Sequence, residues 1–211
     1  EELVKQAKHL AKSGTKELLI IAQDSTYYGL DIYQKRNLPE LLEKLSDVNG
    51  IEWIRLHYAF PSGFPMEILD VMNERENICN YIDMPLQHIS DKMLKSMKRG
   101  TTKQKTIDLV NKIRDKVPGI AIRTTLIAGY PGETEKDFEE MKEWVSETKF
   151  DRLGAFKYSP EKGTAAFSLP SQVPDSVAEA RLKLIMETQK KISLELNEKM
   201  LGRKIKTIVD S

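Results

Sequence analysis

The sequence predicts an α/β fold built on a parallel, open sheet: a partial (β/α) barrel. Three observations predict it. Five short apolar runs with strand character alternate with segments of helical period, the pattern of parallel βα units joined by right-handed crossovers. Each run is followed by polar or turn-forming residues: Gln23-Asp24-Ser25-Thr26, His57-Tyr58, Gln87-His88, Gly129-Tyr130-Pro131-Gly132-Glu133 and Tyr158-Ser159-Pro160-Glu161. Barrels collect their sites at the C-terminal ends of all their strands, whereas a doubly wound sheet concentrates its site at one switch point. Finally, five strands are too few to close a barrel, so at least a strand before Glu1 is expected to be missing.

The elements follow in order. Leu3, Ala7, Leu10 and Ala11 set a helical stripe over Glu1–Lys12, ended by Ser13-Gly14. No capping residue precedes it, so this helix reads as cut from a longer chain. Glu17–Ala22 is a strand, Leu38–Leu45 a helix, Ile51–His57 a strand, Pro65–Asn73 a helix and Asn77–Met84 a strand. Ser90 is expected to cap a helix over Ser90–Lys98, and Pro118-Gly119 closes the next one, Thr102–Val117. After the strand Ile120–Ala128, Thr134 and Asp137 form a capping box for the helix Thr134–Thr148. Arg152–Tyr158 is the last strand of the sheet, and a helix from Ser176 to about Met200 carries Leu182, Ile185, Ile192, Leu196 and Met200 on one stripe. Arg203–Val209 alternates basic and apolar residues like a strand with no partner in the sequence. The expected division is a barrel over residues 1–201, lacking its first strand, and the start of another domain over 202–211.

Composition excludes several function classes. Lys plus Arg number 33 against 32 Asp plus Glu, so no strongly charged partner is implied. No apolar run approaches the roughly 18 residues of a membrane span. The single cysteine, Cys79, rules out an internal disulfide framework and fits a reducing, cytoplasmic setting. His9, His57 and His88 are scattered without metal-ligand spacing, so no metal site is expected from these residues. Six basic residues between Lys92 and Lys105 offer weak RNA proximity, or simply a solvated helix face.

The loops hold the candidate chemistry, and each has a structural alternative. Gly129-Tyr-Pro-Gly-Glu-Thr134 either exposes backbone groups to a nucleoside-like ligand or makes a tight βα turn with a good cap. Gln87 and His88 either present an amide and an imidazole to a cavity or fix their loop. Gln23 and Asp24 either hold a cationic amino group or make a turn. His57–Phe64 is an aromatic loop that closes over substrate or packs on the rim. Tyr158 and Glu161 are candidates for substrate contact, beside a Pro/Gly turn.

Taken together, the stretches Ala22-Gln-Asp-Ser-Thr-Tyr-Tyr-Gly29, Leu56–Pro65, Tyr81-Ile-Asp-Met-Pro-Leu-Gln-His88, Met97-Lys-Arg-Gly-Thr101, Arg123–Thr134 and Arg152–Thr164 resemble the radical S-adenosylmethionine (SAM) methylthiotransferases, over essentially the whole chain. Pro85-Leu-Gln-His88, where the tRNA-modifying MiaB-type enzymes usually carry Gln-Ser-Gly-Ser, and Glu161, where they usually carry Arg, point to the RimO type. The resemblance implies a radical SAM barrel, SAM as cofactor and two [4Fe-4S] clusters. A 5′-deoxyadenosyl radical takes hydrogen from the β-carbon of an aspartate in a small-subunit ribosomal protein, and sulfur and a methyl group are added there. It implies that Gln23 and Asp24 meet the SAM amino group, Gln87 and His88 the ribose and carboxylate, Arg123 the carboxylate, and Gly129 and Tyr130 the adenine. Tyr158 and Glu161 lie toward substrate, and a C-terminal TRAM domain follows. The chain departs from the pattern in lacking the C-x-x-x-C-x-x-C loop and the second cluster's cysteines, so catalysis is not expected from these residues alone. The alternatives are a MiaB-type tRNA enzyme, a cluster-free barrel enzyme and a ribosome-binding module. A phosphate-binding lyase would want a glycine-rich anion loop after the last strand, where Ser159-Pro160-Glu161 stands instead.

Overall fold

The computed structural model describes residues 1–208. Five strands, β1 (Glu17–Ile20), β2 (Trp53–Leu56), β3 (Ile78–Asp83), β4 (Ala121–Ala128) and β5 (Arg152–Lys157), form one sheet in sequential order. All neighbours pair in parallel. Consecutive parallel strands in sequential order are the arrangement of a curling βα barrel. Their C-terminal ends share one edge, so Gln23, His57, Gln87, Gly129 and Tyr158 stand on one rim, as expected.

The helices are α1 (Glu2–Lys12), α2 (Leu30–Tyr33), α3 (Leu38–Ser46), α4 (Glu67–Glu74), α5 (Asp91–Ser96), α6 (Lys103–Lys116), α7 (Glu135–Thr148) and α8 (Asp175–Glu198). Single turns of tighter helix stand at Ser25–Tyr27 and Ala165–Ser168. These turns and α2 are additions to the sequence reading, too short to show a period. Strand alternation sorts the side chains. Ile122, Thr124, Leu126 and Ala128 of β4 are buried on the helix side, while Arg123, Thr125 and Ile127 stand on the inner face. That inner face is open: Leu19, Ile21 and Phe156 are all more than half exposed. The core lies on the other side, where Leu42, Ile54, Ile68, Ile82, Leu126 and Phe138 are fully buried.

Three expectations are corrected. Ser90 occupies the cap position of α5 but makes no capping bond, because its hydroxyl donates to Asp137 Oδ1 at 2.6 Å instead. The stripe of α8 is less apolar than predicted: Arg181 and Gln189 are buried alongside Ala178, Ile185 and Ile192. No strand forms over residues 203–208, which meet no partner strand among the described residues; Val209, the end of that expected strand, lies outside them. An extended segment without a ladder partner gains no backbone hydrogen bonds. Lys206 instead reaches Glu52 at 2.6 Å.

The capping box of α7 forms as predicted, with Thr134 and Asp137 bonded reciprocally. Burial alone would raise the Asp137 carboxyl, but hydrogen bonds from Ser90 and Thr134 outweigh it and hold the group at about 2. A carboxyl depressed from its ordinary value of 3.8 stabilises the fold above that pH and loses the contribution as pH falls toward 2. Asp137→Ala should therefore cost about 1–2 kcal/mol at neutral pH. In urea melts its gap from the parent should shrink on acidification from about pH 4 toward pH 2. A gap that does not change with pH would remove the charged cap from this account.

Candidate functional site

Four elements converge on a cleft of about 560 Å³ at the C-terminal strand ends. The loop after β1 supplies Gln23, Asp24 and Tyr27; the loop after β2 supplies Tyr58, Ala59 and Phe60; the loop after β3 supplies Pro85 and Gln87; Arg99 comes from beyond α5. The first two loops are stitched together, since Ser25 donates its N–H to the Tyr58 carbonyl at 3.1 Å and its hydroxyl to the His57 carbonyl at 2.7 Å. Asp24 caps the turn that follows, its Oδ1 accepting from the Thr26 N–H at 2.9 Å and hydroxyl at 2.6 Å.

Gln87 combines two unfavourable features at the cleft wall. Its backbone sits in the left-handed region at φ 72°, unfavourable for a residue with a side chain. Two bonds to β4 hold it there: its N–H donates to Thr125 and its carbonyl accepts from Ile127, each at 2.9 Å. Its Oε1 is shut off from solvent without a hydrogen-bond partner. A left-handed backbone and an unpartnered amide oxygen at the cavity wall make Gln87 a candidate for ligand contact.

His88, the neighbour expected to join it, is turned away. It is fully buried, its Nδ1 accepts the N–H groups of Ile89 and Ser90 at 2.9 and 3.0 Å, and its Nε2 stands 3.4 Å from Glu133 Oε2. Accepting at Nδ1 leaves the proton on Nε2, facing that carboxylate. In this geometry His88 ties its own loop together, the structural alternative offered for it. Gly129 is likewise committed to packing. Its N–H donates to Glu133 Oε2 at 3.0 Å, and a Cβ there would lie 2.3 Å from the Cβ of Ala178 on α8. The glycine admits a helix, and the nucleoside role expected of it has no room on that side.

Arg123 stands on the inner face and pairs with the fully buried Asp83 at 2.7 Å. Asp83 also faces His57 Nδ1 at 3.3 Å. Tyr130 is buried edge-on against Tyr158, with ring centres 5.3 Å apart. Burial pushes the Tyr158 hydroxyl up, and the neighbouring Tyr130 and Glu161 add to the shift. Glu161 is exposed and accepts from the Ser159 hydroxyl at 3.3 Å. Of the nine residues singled out in the sequence, the cleft thus gathers Gln23, Asp24 and Gln87.

Arg99 was missed, because its spacing among Lys92, Lys95, Lys98, Lys103 and Lys105 reads as a solvated face. That stretch is not one surface. Lys92 donates to the Gly132 carbonyl at 2.6 Å and Lys103 pairs with Glu140. Between Lys98 at φ 55° and Gly100 at φ 65°, the chain turns Arg99 back into the cleft. The only signal in the sequence was the Met97–Thr101 stretch itself. Glu133 and Arg181, paired at 2.8 Å with both side chains almost wholly buried, were also missed.

The chain holds one cysteine, whose thiol burial pushes up, although Arg55 opposes the shift. Among the described residues, no group of three or more His, Cys, Asp or Glu is placed to hold a metal ion, and no helix is long and apolar enough to cross a membrane.

Comparison with known proteins supplies the rest. The family model described as the radical SAM superfamily matches residues 1–145. A protein of Flavobacterium psychrophilum named ribosomal protein uS12 methylthiotransferase RimO is 61% identical over 210 residues, covering 100% of this chain and 48% of that protein. A Bacteroides fragilis protein of the same name is 51% identical over 211 residues, covering 100% of this chain and 49% of that protein. The chain thus spans about half the length of the curated relatives it matches. Among solved structures, coproporphyrinogen III oxidase (HemN) of Escherichia coli superposes with a TM-score of 0.62 at 18% identity, over 93% of this chain and 44% of that one. Methylornithine synthase (PylB) superposes with a TM-score of 0.60 at 12% identity, over 90% of this chain and 53% of that one. At such identities these two speak for the fold, a partial barrel of the same type.

Proposed function

Because this chain belongs to the radical SAM superfamily, we propose that it forms the SAM-binding barrel of an enzyme that methylthiolates an aspartate β-carbon in ribosomal protein uS12. The observation that carries the reading is 61% identity, over the whole chain, to a protein bearing that name. In the intact enzyme we place a C-terminal TRAM-like domain beyond residue 201, the two clusters on cysteines outside this chain, and the whole in the cytoplasm.

The residues present fit SAM. The cleft offers an amide with an unpartnered Oε1 at Gln87, a carboxylate at Asp24, a guanidinium at Arg99 and three aromatic rings, at Tyr27, Tyr58 and Phe60. A nucleoside with an amino-acid end needs acceptors for its hydroxyls and ammonium, a cation for its carboxylate, and flat apolar surface for its base. The residues present do not fit an iron–sulfur cluster, which needs three or four thiolates where the chain has Cys79 alone.

Bound SAM supplies the hydrogen-abstracting power. The work of this chain's residues is to bind and orient. Asp24 is positioned, through its bonds to Thr26, to receive an ammonium with its remaining lone pairs. Gln87 offers its amide to a ribose hydroxyl, on a backbone that two bonds to β4 hold in the left-handed region. Tyr27 and Tyr58 line the cleft and offer flat apolar surface to a base. Toward substrate, Tyr158 and Glu161 stand at the last strand end, where a protein segment would approach.

Gln87→Ala in the intact, reconstituted enzyme should weaken SAM binding by about 1 kcal/mol or somewhat more, the scale of one lost hydrogen bond, with little change in melting temperature. Unaltered affinity with a lowered melting temperature would assign Gln87 to folding instead. The function itself is tested by deleting the gene and restoring it, with mass spectrometry of uS12 and nucleoside analysis of tRNA. Loss and recovery of the uS12 modification is the expected result. Change in the tRNA alone would replace this reading with the tRNA-modifying one.

A further inference from the structure

On the inner face of the sheet, one layer of side chains lies directly beneath the cleft. Leu56 pairs with Ile82 and Asp83 with Arg123, so His57, Asp83 and Arg123 stand side by side across β2, β3 and β4. His57 immediately precedes Tyr58, and Asp83 stands two positions before Pro85; both followers line the cleft. Arg123 stands two positions before Thr125, whose carbonyl accepts the Gln87 N–H. Residues two apart on a strand share a face and lie about 6.6 Å from one another. The three residues therefore form the floor of the cleft.

Asp83 is the pivot of this floor. It is fully buried, and its Oδ2 serves both neighbours, accepting from an Arg123 Nη at 2.7 Å and facing His57 Nδ1 at 3.3 Å. Its Oδ1 is shut off from solvent without a partner. A guanidinium and a carboxylate that pair side by side make two parallel bonds. This pair makes one. Asp83 thus neutralises Arg123 without occupying its fork of five N–H donors, and the Arg123 side chain remains 40% exposed on the open inner face. Arg152 of β5 is next in the register, exposed, and meets no carboxylate among the described residues; its Nη donates to the Asp151 carbonyl at 2.8 Å. Two guanidinium groups on neighbouring strands share one carboxylate, so the floor has an excess of positive charge and favours an arriving anion. Arg55, lower on the same face, is committed elsewhere: its Nε donates to Glu17 at 2.7 Å and its guanidinium lies 4.8 Å over the Tyr81 ring.

We infer that Arg123 is a specificity-determining residue, binding the side-chain carboxylate of the substrate's target aspartate on the edge of its guanidinium that Asp83 leaves free. The inference rests on the uS12 reading given above. That reading places two carboxylates near one another, the cofactor's and the substrate's. The cleft itself offers Arg99 to the first, and Arg123, one layer below and outside the cleft lining, is left for the second.

The test is calorimetric titration of the intact, reconstituted enzyme with S-adenosylhomocysteine, and then with a uS12 segment carrying either Asp or Asn at the target position. The parent should prefer the Asp segment. Arg123→Gln should weaken that segment by about tenfold or more, the scale of a lost charged hydrogen bond, and leave the Asn segment and S-adenosylhomocysteine unchanged. Arg123→Lys keeps a counter-charge for Asp83 and serves if Arg123→Gln does not fold. It should lose part of the preference, because an ammonium cannot make the two parallel bonds. A lowered melting temperature with the Asp preference intact would reduce the pair to a tie between β3 and β4. Equal weakening of both segments, weaker S-adenosylhomocysteine, or a parent that binds both segments alike would also overturn the role of Arg123 while leaving the uS12 reading in place. A parent that binds S-adenosylhomocysteine but neither segment would overturn the uS12 reading, and this inference with it.

Discussion

Replacing Glu133 by alanine should destabilise the chain by about 3–5 kcal/mol, the cost of leaving a buried charge without its partner. Arg181 is 8% exposed at its side chain and donates to Glu133 Oε1 at 2.8 Å and to the Glu133 carbonyl at 3.2 Å. Its second carboxylate, Glu135 at 2.9 Å, is 72% exposed and compensates it poorly. The same substitution also leaves the Gly129 N–H without its acceptor and takes away the group facing His88 Nε2. Urea melts of Glu133→Ala, Arg181→Met and the double variant separate these terms. Removing both charges should recover much of the loss, because a buried pair replaced by apolar groups is often close to neutral. The residual deficit should be about 1–3 kcal/mol, the cost of the orphaned Gly129 N–H. A double variant as unstable as the sum of the singles would show that the two residues are not coupled.

Gly129→Ala should cost about 3 kcal/mol or more, through two separable effects. The backbone stands at φ 78°, and the added Cβ would lie 2.3 Å from Ala178 Cβ and 3.1 Å from its Cα. Gly163→Ala is the matched comparison. It shares a positive φ of 88° but meets nothing within 4 Å, so it should cost only the strain of a left-handed alanine, about 1–2 kcal/mol. Equal melting-temperature losses for the two would mean that α8 moves aside freely, and the close approach would then explain nothing about the glycine.

The fold was legible because period is a strong signal. Alternating apolar runs and helical stripes placed all five strands, and the rim followed from their being parallel. The site was legible only in part. That Gln23, Asp24 and Gln87 reach a cavity follows from where the strands end, and strand ends are readable. That His88 does not follow them depends on one backbone turn, which sends adjacent side chains to opposite sides and delivers Nδ1 to two N–H groups. Arg99 was hidden for a similar reason: its composition matched the lysines around it, while Lys98 and Gly100 reverse its direction. Glu133 and Arg181 lie 48 residues apart and are joined only by the packing of α8 on the sheet. Helical period, which sees apolar stripes, registered a polar residue within the α8 stripe as an interruption.

Those interruptions have a mechanical consequence. A helix seated by aliphatic side chains alone slides at modest cost, since one methyl-lined groove resembles the next. Helix α8 is pinned at two depths instead, by Arg181 in the Glu133 loop and by Gln189, whose amide donates to the Phe150 carbonyl at 2.9 Å. Slippage by one turn, about 5.4 Å, would break both bonds at once and strand two polar side chains in the core. The helix is therefore indexed to the barrel like a keyed shaft. With 24 residues it is about 36 Å long, so a tilt of a few degrees at the Glu133 key becomes a displacement of ångströms at the far end. Whatever leans on that end is coupled, through Glu133, to the loop that holds Gly129.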